Sequence, residues 1–218
     1  MTSGPTGSVI LSVYEQGMTA SPAVRAGLLA RAGGSQPDAM LGDADRAAWS
    51  FLQDQFGAAQ DAVLTCSACG EDVEFDLPDT FGPPSAAPNA TVSFEHDDTG
   101  FVVRLPRLSD MRDGRFDPHV LCPEGDWTDA TFRSACERAL LAEDPALRID
   151  LNLVCASCGE KQTHVFDVSG FVWRRLEQAA RALVRDVAKL ARGYGWSEAE
   201  ITAMTAARRA IYLRELSE

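Results

Sequence analysis

Two short stretches constrain this chain more than anything else in it: Cys66-Ser67-Ala68-Cys69-Gly70 and Cys155-Ala156-Ser157-Cys158-Gly159, with 85 residues between Cys69 and Cys155. A CxxCG turn places two thiols on one tight bend, with backbone amides turned toward the sulfurs. Two such turns supply the four thiolates that a tetrahedral structural zinc takes, at about 2.3 Å per bond. Alternating apolar residues flank both. Val73, Phe75 and Leu77 follow the first, and Ile149, Leu151 and Leu153 precede the second. A period of two predicts strands, so the pattern of strand, knuckle and strand reads as a zinc ribbon with Cys66, Cys69, Cys155 and Cys158 as metal ligands. The competing reading is four buried or redox-active cysteines. Thioredoxin-like chemistry needs only one CxxC, however, and no βαβ pattern surrounds either motif.

The charge balance bears on what such a ribbon can touch. With 20 Lys and Arg against 32 Asp and Glu, the formal net charge is −12. A surface that tracks phosphates needs clustered cations, so a nucleic-acid partner is not expected. The apolar run Val9-Ile10-Leu11 is too short for a secretory segment, and nothing approaches a membrane span. Six cysteines in that setting fit a reducing compartment, where thiols bind metal rather than pair. The expectation is a cytoplasmic protein.

Along the chain, residues 9–60 read as helical. Ser21-Pro22 opens one helix, as a good N-cap followed by proline at the first helical position, and Gly33-Gly34 ends it. Asp43 opens another that Gly57 ends, with Trp49 off its apolar stripe or widening it. The proline-rich break 78–88 reads as a mobile linker. Residues 91–95 and 101–105 read as strands around a turn at 96–100. A passage from Leu108 reaches Cys122-Pro123, and Thr128 caps a helix that Asp144-Pro145 stops. After the second knuckle a strand is expected over 163–168. The strongest helical signal follows over 170–192, with Val172, Trp173, Leu176, Ala180, Leu183, Val184, Val187, Leu190 and Ala191 forming one broad stripe. Ser197 and Glu200 make a capping box, and Thr205 caps a last helix. Trp196 and Tyr212 are expected to pack against the long helix. The predicted class is α+β: a helical leader over 1–60, ribbon halves over 61–77 and 146–169, an inserted hairpin-plus-helix subdomain over 78–145, and a helical region over 170–218.

Other chemistry is sparse. Cys122 and Cys136 read as small buried hydrophobes, although His119 and Cys122 have a metal-like spacing. His164 lies close enough to the second knuckle to exchange for a ligand, but four thiolates leave it no place. His96 beside Asp97 and Asp98 reads as a solvated turn. No phosphate loop, nucleophile elbow or zinc-protease helix is present. A four-thiolate zinc lacks the open coordination position that catalysis requires, so no enzyme is expected.

Five stretches together resemble a known family: VYEQG, CSACGEDVEF, FVVRLPRLSDM, IDLNLVCASCGEKQTHVFDVSGFVWRRLE and LARGYGWSEAEITAMTAARRAIYLREL. In that order, from about Val13 to Leu216, they are similar to the T-even phage baseplate hub assembly chaperone family. Its ribbon-bearing members are associated with contractile injection systems and phage tail-like particles. The resemblance implies a non-enzymatic assembly chaperone or minor baseplate component, with baseplate, hub or tail proteins as partners. It carries over the four knuckle cysteines as structural. The HVLCPEGDW stretch departs from it, standing where a leucine-rich helix is expected.

Overall fold

The computed structural model describes residues 7–86, 88–111 and 116–216. Residues 1–6 of the leader, Ala87 in the proline-rich break, residues 112–115 in the passage toward Cys122, and 217–218 lie outside the described residues. Among the described residues seven α-helices and six strands follow one another as α1 (Gly7–Gly17), α2 (Pro22–Ala32), α3 (Leu41–Phe56), β1 (Gln60–Thr65), β2 (Asp72–Leu77), β3 (Thr91–His96), β4 (Thr99–Arg104), α4 (Ala130–Glu143), β5 (Asp150–Val154), β6 (Lys161–Val165), α5 (Val168–Tyr194), α6 (Glu198–Thr202) and α7 (Ala206–Glu215). The strands form three separate antiparallel hairpins, β1–β2, β3–β4 and β5–β6. The α+β class is therefore as the sequence reads.

The main core is built on α5. Asp167 caps it by accepting the Gly170 amide, and Gly195 ends it in the left-handed region at φ 73°. Phe171, Val172, Leu176, Ala180 and Leu183 are buried against Ile10 and Leu11 of α1, Leu29 of α2, and Trp49 and Leu52 of α3. Val184, expected in the stripe, is 53% exposed. The buried face runs on from Leu183 through half-buried Val187 to Leu190, and Val184 lies just off it. Trp49 is in the core after all, because three rings surround it. Phe81, Phe166 and Phe171 lie with centroids 5.5 to 6.0 Å away. The proline-rich break is thus anchored rather than free: Phe81 packs into this aromatic group, and Pro84 O accepts from Arg46.

The inserted segment has its own core, with Val103, Leu121, Cys122, Phe132 and Cys136 buried together. Its hairpin turn is tighter than expected. Asp97 and Asp98 alone form it at φ 48° and 57°, the two-residue type I′ geometry that short polar residues tolerate, so β4 starts at Thr99. His96 is not solvated. Its side chain is 15% exposed, with Nε2 3.0 Å from Asp129 Oδ2. Asp129, not Thr128, caps α4. Its carboxylate accepts the Thr131 and Phe132 amides, while Thr128 bonds to Asp126. Those amides hold the Asp129 carboxyl down at about 2.

Polar contacts fasten the insertion to the leader in two places. Arg104 meets Asp110 through two bonds of 2.7 and 2.9 Å, and the loop they brace lies along the α2–α3 junction, with Leu41 N–H on Pro106 O. Arg46 of α3 grips Asp144 at 2.8 and 3.0 Å. Asp144 is completely buried, and a Cβ on Gly42 would collide with it. Removing one partner of a buried pair strands the other charge, at about 3–5 kcal/mol. Arg46→Leu should destabilise the chain by about that much in urea unfolding. Asp43→Asn, which removes the 40% exposed partner of the same arginine, should change stability by less than about 1 kcal/mol.

Helices α3 and α5 are also joined by Ser169 Oγ, which donates to Asp45 at 2.7 Å. Burial pushes the Asp45 carboxyl up to about 6 from 3.8, against the pull of Ser169 and with the Asp167 charge adding to the rise. The folded chain therefore binds an extra proton between about pH 4 and 6, and this contribution to stability is lost as pH rises through that window. Asp45→Asn keeps the acceptor for Ser169 and removes the charge. The stability difference, variant minus wild type, should be small near pH 4 and should grow in the variant's favour up to pH 7, as read from thermal midpoints at each pH.

Candidate metal centre

The two knuckles are copies of one local design. Cys66 N–H bonds to Glu71 O and Gly70 N–H to Cys66 O, at 2.8 and 2.9 Å. Cys155 N–H bonds to Glu160 O and Gly159 N–H to Cys155 O, at 2.9 and 2.8 Å. Both glycines sit at φ 76°, and a Cβ on either would meet open space. Backbone conformation, not crowding, is what requires glycine there. Each knuckle stands at the end of its hairpin, between β1 and β2 or between β5 and β6, so the alternating flanks do form strands. The second strand after Cys158 is Lys161–Val165 rather than 163–168, because Asp167 is taken as the helix cap.

The hairpins bring the four sulfurs together. All four Sγ atoms lie within 4.8 Å of one another, and the cross-knuckle pairs Cys66–Cys158 and Cys69–Cys155 are 3.8 and 3.7 Å apart. These distances exclude disulfides, whose sulfurs stand at about 2.05 Å. They match the edge of a tetrahedron with metal–sulfur bonds of about 2.3 Å, which is about 3.8 Å. Cys66 and Cys155, the first cysteine of each knuckle, are buried beside Val73, whereas Cys69 and Cys158 are exposed. Gln162 of β6 ties the hairpins together by accepting from the Ser67 amide and hydroxyl at 3.1 and 3.2 Å.

The surroundings ionise the thiols unequally. Amides of Cys69 and Ala68 donate toward Cys66 and lower it to about 6, and those of Cys158 and Ser157 lower Cys155. At Cys69 the Glu71 amide pulls down, but burial and the neighbouring sulfurs outweigh it and raise the thiol to about 12. Cys158 is raised in the same way, against the Glu160 amide. The first cysteine of each knuckle is thus shifted toward the thiolate and the second away from it. A soft divalent metal that prefers tetrahedral sulfur fits this donor set.

The remaining candidates stay apart from this group. His164 bonds to Gln162 instead, with Nε2 3.1 Å from Oε1. Cys122 and Cys136 are buried in the core of the insertion, and burial raises the Cys136 thiol to about 11. Gln162 escaped the sequence reading, since nothing in a strand pattern marks one polar side chain as the link between two hairpins. No protein-family model, curated protein or solved structure matches the chain. No helix among the described residues is long and apolar enough to cross a membrane.

Replacing any one of Cys66, Cys69, Cys155 or Cys158 with serine should abolish stoichiometric metal binding. Cys122→Ser and Cys136→Ser should leave it unchanged. Cobalt loading provides the measurement, through the visible absorption of a tetrahedral thiolate centre, with metal content by mass spectrometry alongside.

Proposed function

We propose that the chain is a non-enzymatic zinc-ribbon scaffold working through protein contacts, and that its setting is assembly of the baseplate hub of a phage tail-like contractile particle. The meeting of four sulfurs at tetrahedral spacing, from knuckles 85 residues apart, carries the scaffold reading. Zinc is the metal this donor set fits best, for it takes four thiolates without redox chemistry or a further ligand. Filled in this way the centre has no position left for a substrate, so it acts as a staple. The baseplate setting rests on the sequence resemblance, and the protein would serve there as transient chaperone or as resident minor component.

The alternative, a zinc-ribbon module for nucleic acid or transcription, meets an electrostatic objection at the knuckles. The outward face of the first hairpin carries Asp61, Asp72, Glu74 and Asp76, all exposed. Asp61 and Asp76 stand directly opposite each other across the strands. Such a face repels phosphates.

The two readings separate in the producing cell. The tagged full-length chain should co-purify with baseplate or hub proteins, and deleting its coding sequence should leave particles without assembled baseplates. Normal particles from the deletion strain would overturn the baseplate reading. Salt-sensitive retention of nucleic acid by the purified protein would favour the alternative.

A further inference from the structure

The two cysteine-bearing hairpins each leave a strand edge open. Among the described residues β1 pairs only with β2, and β6 only with β5. Antiparallel ladders alternate residues that bond to their partner with residues whose main-chain groups point the other way. The bonds Cys66 N–H to Glu71 O and Phe166 N–H to Ile149 O fix the phase. By that phase and the strand registers, Asp61, Val63 and Thr65 on β1, and Thr163 and Val165 on β6, direct N–H and C=O toward the open edges.

A groove of about 380 Å³ lies between these strands, bounded by residues 61–64 on one side and 164–167 on the other. Phe75, Leu151 and Phe171 give it an apolar lining, and Arg174 and Arg175 of α5 stand along it. Arg175 is engaged, with Nη2 3.0 Å from Asp61. Arg174 is exposed and has no ion pair among the described residues. Folded sheets usually blunt an open edge with lysine, proline or a bulge. The sequence of β1, Gln-Asp-Ala-Val-Leu-Thr, has neither lysine nor proline, and Val63 and Val165 are 52% and 61% exposed.

We propose that this groove binds an extended segment of a partner protein as an added strand between β1 and β6, with apolar side chains against Phe75, Leu151 and Phe171 and an acidic side chain on Arg174. Main-chain bonds from two edges supply the grip, and the lining supplies the selectivity. Four residues at about 3.3 Å each span about 13 Å of groove. The acidic preference follows from charge. On a chain of net charge −12, an acidic segment is repelled by most of the surface and attracted at Arg174. A second copy of the chain is disfavoured as occupant, since its β1 edge would set Asp61, Glu74 and Asp76 against the same residues. The proposal rests on the hairpins alone and holds for a partner inside or outside a baseplate.

The probe is a displayed library of random heptapeptides, selected on the full-length, zinc-loaded protein and resynthesised with both ends capped. Selected peptides should alternate apolar residues around one Asp or Glu. Their affinity should fall about tenfold or more with Arg174→Glu and recover when the peptide acid is changed to lysine. N-methylating alternate peptide amides should abolish binding, a test that leaves the protein untouched. Val63→Pro removes an N–H not used in the β1–β2 ladder, so it should retain zinc and lose the peptide, whereas Val63→Thr should bind as wild type does. The proposal is overturned if no peptide is enriched, if Arg174→Glu binds equally well, if N-methylation is tolerated at every position, or if binding requires a free C-terminal carboxylate. None of these outcomes touches the particle co-purification, so the two readings fail separately.

Discussion

Four sulfur atoms from two bends must meet inside one coordination sphere, and that requirement sets the path of everything between them. The 85 residues from Cys69 to Cys155 form a loop whose ends are closed by the knuckles. Loop-closure entropy rises only slowly with length, so a segment large enough to hold its own hairpin, helix and core fits there at modest cost. What it needs is a second fastening, or it would swing about the knuckles. Arg46 on Asp144 supplies one near the end of the insertion, and Arg104 on Asp110 braces another against the α2–α3 junction. The four sulfurs fix where the loop closes, and the Arg46–Asp144 pair with the backbone bonds from Leu41 to Pro106 and from Leu108 to Ala39 fixes how the insertion is oriented.

The hydrophobic cores divide the chain differently from the cysteines. The helices α1, α2, α3 and α5 bury their residues on one another, reaching the first hairpin at Ala62 and Leu77. At the knuckles only Cys66, Val73 and Cys155 are buried together. Three buried residues are far too few to hold two strand pairs in water, so the distal ends of the hairpins would need a metal on the four sulfurs while their bases rest on α5. The helices have a core that does not pass through the sulfurs. With no metal on the four sulfurs, the knuckles would loosen while the packing that keeps the helices formed would remain.

Much of this was legible in the sequence because it is local. The CxxCG repeats, the capping box at Ser197 and Glu200, the Ser21 and Thr205 caps, and the stripe of α5 are all patterns within a few residues. What was not legible depends on residues far apart. Trp49 looks misplaced on its own helix and is buried because Phe81 and Phe166 arrive from later segments. Asp144 reads as a helix stop, and only the fold puts Arg46 beside it. His96 reads as a turn residue until α4 brings Asp129 to it. Thr128 reads as the cap of α4, and the cap is instead its neighbour Asp129, whose carboxylate reaches two amides and the histidine together.

The distribution of charge points to how such a scaffold meets other proteins. Residues 170–218 contain nine Lys and Arg against six Asp and Glu, a net of +3, and the rest of the chain carries −15. Several of those cations are already engaged: Arg175 with Asp61, Arg181 with Glu177, and Arg209 with Asp186. Arg174, Arg185, Lys189, Arg192 and Arg208 remain along α5 and α7, and the last three lie toward the end that carries the ring cluster of Tyr194, Trp196 and Tyr212. A continuous cationic track for phosphates would need these charges extended across the knuckles, and the knuckle hairpin is acidic instead. Scattered cations next to half-exposed aromatic rings match the composition of protein–protein contacts, where Arg, Tyr and Trp concentrate. Opposite charge on α5 and the rest of the chain would orient an acidic partner of the proposed kind toward α5 before any contact forms, on a path toward the groove edge at Arg174.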